Sequence, residues 1–434
     1  MIRTKRYVAG FVLCVSLTFS FSSVWAGGAY LYEFGTPDLG TAAAGRAAMA
    51  QDASTVMGNP AGMIRLERSQ LTMPLYTILP TMDFKRDSGT TTSGGNGFRP
   101  GTSIPSSGSA SVPMPASSFF YVYSPSDSWK LGVSFGSGYG AGLNYGKEWV
   151  GRYTVQKAQA MSFTLNPGIA FRINDWLSVG AGFSVTYALL SQTTAVNNLL
   201  DGLPDGRLKF KADDWGFGGN AGILLELSPQ TRLGLTYRSP VDLSFKDRIK
   251  FTNLGPGLRR ALDSRIRNGT SLDQTLPQAV MFSWYHQLTK KSALMGNFGW
   301  QNWQKYGDVD ITIRSNTTRD FTSDADFGDT WHGAIGAQYR LSKPLLFSAG
   351  FAYDSSPVSK FHRTPAMPFD RAFRYGLGLQ YDWSEDVTLG VAYEFLDAGS
   401  AEIAKAGGRL TGTVHGHYTT NYIHFVAMNL VKKF

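Results

Sequence analysis

From Trp176 to Ala188 the chain alternates in side-chain type. Leu177, Val179, Ala181, Phe183, Val185 and Tyr187 are apolar, and Ser178, Gly180, Gly182, Ser184 and Thr186 between them are small or polar. A period of two belongs to a β-strand with two unlike faces. The pattern returns in Val387, Leu389, Val391, Tyr393 and Phe395, and in Trp331, Ile335, Ala337 and Tyr339 set against His332, Gln338 and Arg340. Each run holds about ten residues, the length a tilted strand needs to cross a bilayer. Alternation alone would also suit a soluble sandwich, and connection length separates the two. Tight links at 124–127, 174–175, 228–231, 288–291, 342–344 and 383–386 alternate with long polar loops at 84–115, 137–158, 191–214, 247–275, 303–327, 355–370 and 398–418. Short turns on one side and long loops on the other are the pattern of a transmembrane barrel.

Fourteen strands follow, near 68–83, 116–124, 128–137, 159–173, 176–189, 215–227, 231–246, 276–288, 291–302, 328–341, 344–354, 371–382, 386–397 and 419–434. An even number lets both termini lie on the turn side, and closure pairs every strand edge in lipid. The chain ends on Phe434 behind Leu430, Met428 and Val426 at alternate positions, the form of a signal read by barrel-assembly machinery. Trp176, Trp300, Tyr381 and Trp383 sit near strand ends, as interfacial girdles do.

Composition narrows the class further. Arg3, Lys5 and Arg6, the apolar run Tyr7–Phe21 and the small-residue pattern Val24-Trp25-Ala26 read as an export signal over 1–26, removed before folding. Its removal takes three of the 41 Lys and Arg and none of the 32 acids, so the net charge falls from +9 to +6. That mild excess has no clustered nucleic-acid footprint. The one cysteine, Cys14, lies inside the signal, so no disulfide is expected in the mature chain. No mature segment carries 18 or more consecutive apolar residues, which leaves no spanning helix.

Residues 27–66 differ from everything after them. Gly27–Arg65 is crowded with Ala and Gly and lacks the alternation. It is expected to be a small helical hatch filling the lumen of a barrel built from 67–434. Ala42–Ala50 is expected to form a smooth helix, Asp52 to cap a helix starting at Ala53, and Asn59 to cap a turn with Pro60 first.

The chain resembles the FadL-type outer-membrane transporters for long-chain fatty acids and other hydrophobic compounds. The resemblance is carried by AAAGRAAMAQDASTVMGNPAGM (42–63), WVGRY (149–153), NPGIAFRINDWLSVGAGFS (166–184), YRSPV (237–241), LPQAVMFSWYHQL (276–288), GWQNW (299–303) and DTWHGAIGAQYRLS (329–342). It implies a 14-stranded antiparallel barrel with a hatch, in the outer membrane of a Gram-negative bacterium. It also implies passive uptake of apolar molecules that leave sideways through the wall, with no enzyme chemistry and no cofactor. The expected partners are fatty acids, alkanes or aromatic hydrocarbons, together with outer-membrane lipid and lipopolysaccharide, for a monomeric protein. A general porin, or a barrel kept as a surface adhesin or phage receptor, is the alternative.

Candidate substrate contacts follow from side-chain chemistry. Arg152 could pair with a substrate carboxylate while Trp149 and Tyr153 line an alkyl path; lipopolysaccharide phosphate or a loop salt bridge would suit it equally. Leu254, Leu258, Leu262 and Ile266 recur every four residues and share one face of a helix, either an outward apolar groove or a packing face. Arg259 and Arg260 lie on the same helix. The loop residues Leu199, Leu200 and Leu203 add apolar surface, and Asn59-Pro60-Ala61 is the expected gate of the hatch. His415-x-His417 lacks a third metal ligand, Ser283 and His286 fall on opposite faces of a strand, and the spacing of Asp201, Asp205, Asp213 and Asp214 fits no calcium loop.

Overall fold

The structure is a computed structural model that describes residues 31–32, 34–91, 107–198, 202–263, 269–313, 319–407 and 411–434. The expected export signal lies outside them. Alternation becomes a wall with one apolar and one polar face. Trp331, Ile335 and Tyr339 stand 48, 65 and 47% exposed on the outside, while His332 and Gln338 between them are buried in the lumen.

The wall begins with β1 (Gln70–Arg86). A second strand follows in three pieces, β2 (Ser107–Ser109), β3 (Met114–Ser117) and β4 (Phe119–Tyr123), and a third in two, β5 (Trp129–Gly136) and β6 (Gly140–Asn144). Next come β7 (Lys157–Arg172), β8 (Leu177–Val196), β9 (Gly206–Glu226) and β10 (Thr231–Arg238). Outside the wall sequence lie β11 (Val241–Asp247), β12 (Lys250–Thr252) and β13 (Thr270–Leu276). The wall resumes with β14 (Ala279–Gln287) and β15 (Ser292–Gln301); β16 (Asp308–Ile313) and β17 (Arg319–Asp324) stand apart. It finishes with β18 (Thr330–Arg340), β19 (Leu345–Asp354), β20 (Ala372–Asp382), β21 (Val387–Asp397), the short β22 (Ile403–Lys405) and β23 (Val414–Lys433). β1 pairs antiparallel with β23 from Gln70↔Lys433 to Arg86↔Gly416, which closes fourteen wall strands into a barrel.

All fourteen expected strands are present, and their outer ends differ from expectation. The 191–214 loop is mostly ladder, because β8 and β9 run on beyond the wall to Val196↔Gly206. The expected 231–246 strand breaks at Ser239-Pro240, where Pro240 has no N–H to give a ladder. Beyond it β11, β13, β16 and β17 form a separate four-stranded sheet over the loop end.

Inside the barrel sits the hatch: α1 (Thr36–Gly40), α2 (Arg46–Met49), α3 (Thr55–Gly58) and a 3-10 turn at Pro60–Arg65. Ala42–Ala50 is not the continuous helix expected. Ala42, Ala43, Gly45 and Ala50 have positive φ, so the segment folds as successive tight turns with only Arg46–Met49 helical. Asp52 Oδ1 accepts from the Ser54 N–H at 2.9 Å and hydroxyl at 2.5 Å, holding the turn before α3 rather than capping a helix at Ala53. Asn59 does cap its turn: its side chain accepts from the Ala61 N–H, with Pro60 first.

Inward polar side chains of the wall bind the hatch backbone. Asn297 Nδ2 donates to Ala43 O at 2.7 Å, Arg232 to Ala48 O and Met49 O at 3.0 and 3.2 Å, and Asn220 Nδ2 to Val56 O at 3.2 Å. Ser283 Oγ accepts from the Ala47 N–H at 3.1 Å. These bonds meet the donors and acceptors that a chain of short turns leaves unpaired.

Candidate functional site

The wall has one interruption that the sequence reading did not anticipate. β4 pairs with β5 only from Tyr123↔Leu131 to Phe119↔Phe135. Beyond that point β3 pairs with β1 alone and β6 with β7 alone, so no ladder joins the second strand to the third. The break lies eight residues along the third strand, short of the roughly 9–11 a strand needs to cross. Backbone without ladder partners at this depth is tolerated where it lines a protein cavity.

The local sequence explains it. Pro113 and Pro115 flank Met114 in the second strand and cannot donate to a ladder. Opposite them the chain reads Gly136-Ser137-Gly138-Tyr139-Gly140, and it bends inward. Gly138 O accepts from the Leu31 N–H of the hatch at 3.0 Å, and Tyr139 Oη donates to Pro277 O at 3.0 Å. The proline pair and the glycine run were the signals present in the sequence.

Behind the interruption lies a small cavity lined by Leu31, Ile78, Met82, Met114, Leu143, Phe369 and Phe425 among others. Among the described residues no charged side chain lines it. Two residues on from the lining Met82 and Leu143, Phe84 and Tyr145 join an aromatic cluster: Trp149 stacks on Tyr145 at 4.0 Å, and Phe84 meets Trp149 edge-on at 5.9 Å and Tyr418 at 5.3 Å. Phe369 is held by the buried Arg363, which donates to Phe369 O at 2.9 Å and Glu402 O at 2.7 Å and pairs with Asp370 at 3.0 Å. Burial pulls the Arg363 guanidinium below the ordinary arginine range, against the opposing charge of Asp370.

The residues singled out from sequence are distributed differently. Trp149 is 1% exposed and donates Nε1–H to Val155 O at 2.6 Å, so it is a buried core ring. Arg152 Nε pairs with Asp205 at 2.8 Å, its Nη2 donates to Tyr153 Oη at 3.0 Å, and Tyr153 Oη donates to Asp205 at 2.8 Å. Burial opposes the Arg152 charge, but Asp205 more than restores it and the guanidinium titrates above its usual value; burial also pushes the Tyr153 phenol up. This is the loop salt bridge the sequence left open, and a substrate carboxylate would have to displace Asp205. Arg152→Ala is therefore expected to change palmitate affinity less than about twofold and stability by about 1 kcal/mol or less. A tenfold loss in a binding titration would restore the direct role.

The helix carrying the leucines, α4 (Pro256–Asp263), is shorter than its spacing suggested. Leu254 precedes it and is half-buried, Leu258 is 4% exposed, and the Leu262 side chain and Ile266 lie outside the described residues, as do Leu199, Leu200 and Asp201. Leu258 thus packs inward instead of presenting a groove. Arg259 and Arg260 are exposed. Asn59 is fully buried, its Nδ2 donating to Ala47 O at 2.6 Å and Ile223 O at 3.0 Å. Pro60 and Ala61 lie on Gly180, where a Cβ would stand 2.5 Å from Pro60 C and Ala61 N. Ser283 serves the hatch, and His286 Nδ1 lies 2.8 Å from Thr231 Oγ1 across the strand. His417 faces Asp87 at 3.3 Å; among the described residues no three His, Cys, Asp or Glu gather in a metal-holding group.

Comparison with known proteins agrees with this architecture. The family model described as "Outer membrane protein transport protein (OMPP1/FadL/TodX)" matches residues 17–434. A long-chain fatty acid transport protein of Escherichia coli O6:H1 (strain CFT073) is 28% identical over 427 residues, covering 91% of this chain and 92% of that protein. The crystal structure of a Pseudomonas aeruginosa FadL homologue superposes with a TM-score of 0.81 at 19% identity, over 92% of this chain and 98% of that one. The Ralstonia pickettii toluene transporter TbuX superposes with a TM-score of 0.65 at 16% identity, over 93% and 100%. At these identities the two structures establish the fold.

Proposed function

The chain belongs to the outer membrane protein transport family (OMPP1/FadL/TodX), and from that premise we propose that it admits hydrophobic molecules, long-chain fatty acids or aromatic hydrocarbons, passively across the outer membrane. A molecule is caught by apolar loop surface, where Phe361 and Leu203 stand 61 and 43% exposed. It passes to the cavity behind β3 and β6 and leaves sideways into the bilayer through the unpaired stretch of wall. The observation that carries this reading is the coincidence of an apolar cavity with the one described interruption of the ladder. Transfer of hydrocarbon out of water contributes about 0.8 kcal/mol per methylene, so capture from dilute solution needs no energy input. The hatch supports selectivity for such solutes over ions, because it fills the lumen that a general porin would leave open. The domain division at 66/67 and a monomeric state belong to the same proposal.

Joining the two strands tests the route. Continuing the Phe119↔Phe135 register outward brings position 117 opposite 137. The double variant Ser117→Cys, Ser137→Cys, oxidised in proteoliposomes, should lower palmitate uptake at least tenfold, with recovery on reduction. Uptake unchanged by a verified cross-link would sink the lateral route.

A further inference from the structure

The outward face of β7, β8 and β9 changes character row by row across the strands. Phe163, Tyr187 and Trp215 stand side by side in one row, and Met161, Leu189 and Asp213 in the next. Toward the loop side the rows become Gln159, Ser191 and Lys211, then Lys157, Thr193 and Lys209. β12 extends the last of these, because Lys250 lies directly opposite Lys209. Residues paired in this way share a face. All four lysines are exposed, while Leu190, Leu208 and Phe210 of the alternate positions are buried on the other side. An exposed aromatic row marks the membrane interface, so the lysines occupy the first two polar rows above it.

The charge of these rows is not neutralised within the chain. Lys209 and Lys250 face one another at a strand spacing of about 5 Å, where like charges are destabilising. Arg207, two residues beyond Lys209, adds a further cation to the same face of β9. Other cations on the loop side have acids of their own, as Arg152 has Asp205, Lys360 has Glu402 and Arg371 has Asp397. Among the described residues no carboxylate comes within ion-pairing distance of the four lysines. The acids at the two ends of the β9 face are already engaged, Asp205 by Arg152 and Asp213 by the Tyr187 hydroxyl.

We propose that Lys157, Lys209, Lys211 and Lys250 form a docking row for the phosphate of an outer-leaflet lipopolysaccharide, whose acyl chains lie along Phe163, Tyr187, Trp215 and Phe217 below. Charge and height together identify the occupant: an outward face just above the aromatic row meets lipid headgroups, and an ammonium is a point charge suited to phosphate. A phosphate between Lys209 and Lys250 turns their repulsion into a shared attraction. The inference rests on the outer-membrane location of the barrel and is independent of which molecule the barrel admits.

Titration of the delipidated, detergent-solubilised full-length barrel tests it, using lipopolysaccharide, the same lipopolysaccharide after phosphatase treatment, and phosphatidylglycerol. Wild type should bind the intact form about tenfold more tightly than the dephosphorylated one, with the difference shrinking as salt is raised. The double variant Lys209→Gln, Lys250→Gln should weaken the intact form about ten- to thirtyfold, the scale of two lysines at an anionic lipid surface, and leave the dephosphorylated form within about twofold. Lys290→Gln, Lys343→Gln removes the same charge from exposed turns at the opposite end of the barrel and should change neither. Thermal unfolding without lipid separates binding from folding: relief of the like-charge pair should leave Lys209→Gln, Lys250→Gln at least as stable as wild type. Equal affinity of wild type for intact and dephosphorylated forms overturns the proposal, as does equal affinity of wild type and the folded double variant for the intact form. A double variant less stable than wild type in the absence of lipid would make the lysines structural and overturn it too. Phosphatidylglycerol bound as tightly as intact lipopolysaccharide overturns the assignment to lipopolysaccharide.

Discussion

Arg374→Leu is expected to destabilise the barrel by about 3–5 kcal/mol, the scale for stripping one partner from a buried ion cluster. Arg374 is 1% exposed and lies on the lumen face of β20. Its Nε meets Asp354 at 2.7 Å and its Nη1 meets Glu394 at 3.1 Å, and His332 Nδ1 lies 2.6 Å from the other Asp354 oxygen. Four neighbouring strands, β18 to β21, each supply one member. Removing the cation leaves Asp354 and Glu394 buried without the guanidinium that lies between them.

The cluster also reaches the hatch. The Tyr32 ring stacks on His332 at 4.2 Å and lies 5.2 Å from Arg374 Cζ, and Gln301 donates to the Tyr32 hydroxyl. Loss of Arg374 should therefore loosen the first hatch residues as well as the wall. Denaturation of the detergent-solubilised barrel, followed by its heat-dependent gel mobility, reads the first effect; protease cleavage near Tyr32 reads the second. Arg374→Leu combined with Asp354→Asn and Glu394→Gln should regain most of the stability, because the uncompensated charges go with the cation. A single variant as stable as wild type would mean that the cluster is solvated and contributes little.

How much of this could be read beforehand depended on whether the constraint was local. The wall was legible, because a lipid face and a lumen face impose a period of two on every strand and need no knowledge of the neighbours. Strand ends above the membrane were not, since nothing apolar marks where β8 and β9 stop. Pairings distant in sequence were hidden for the same reason: Arg152 meets Asp205 53 residues away, and Asn59 reaches Ile223 164 residues away. Of the leucine spacing at 254–266 only the Leu258 side chain is described on the helix, and spacing does not say whether a face turns outward or inward. The interruption of the wall did leave a local trace, Val112-Pro113-Met114-Pro115 opposite Gly136–Gly140. Two strands had to be placed side by side before it meant anything.

The glycines gain their meaning only with the hatch in place. Gly180 and Gly222 are directly opposite one another on β8 and β9. A Cβ on Gly222 would fall inside the contact shell of Asn59 Oδ1, and one on Gly180 would stand 2.5 Å from the backbone of Pro60 and Ala61. The wall is bare there so that Asn59-Pro60-Ala61 can lie directly on it. The double variant Gly180→Val, Gly222→Val is expected to leave the ladder intact, as β-branched residues suit strands, and to lift the hatch from its seat. In planar bilayers the currents should rise from near zero to steady, ohmic conductance several times larger than any wild-type opening. Gly333→Val is the control, because a Cβ there meets nothing within 4 Å; its conductance should match wild type. If the double variant assembles and stays closed, the hatch tolerates displacement at Asn59-Pro60-Ala61 without opening a path, and the gate must be sought elsewhere. If it fails to assemble while Gly333→Val succeeds, the seat is a structural requirement of the barrel and the hatch acts as a fixed plug.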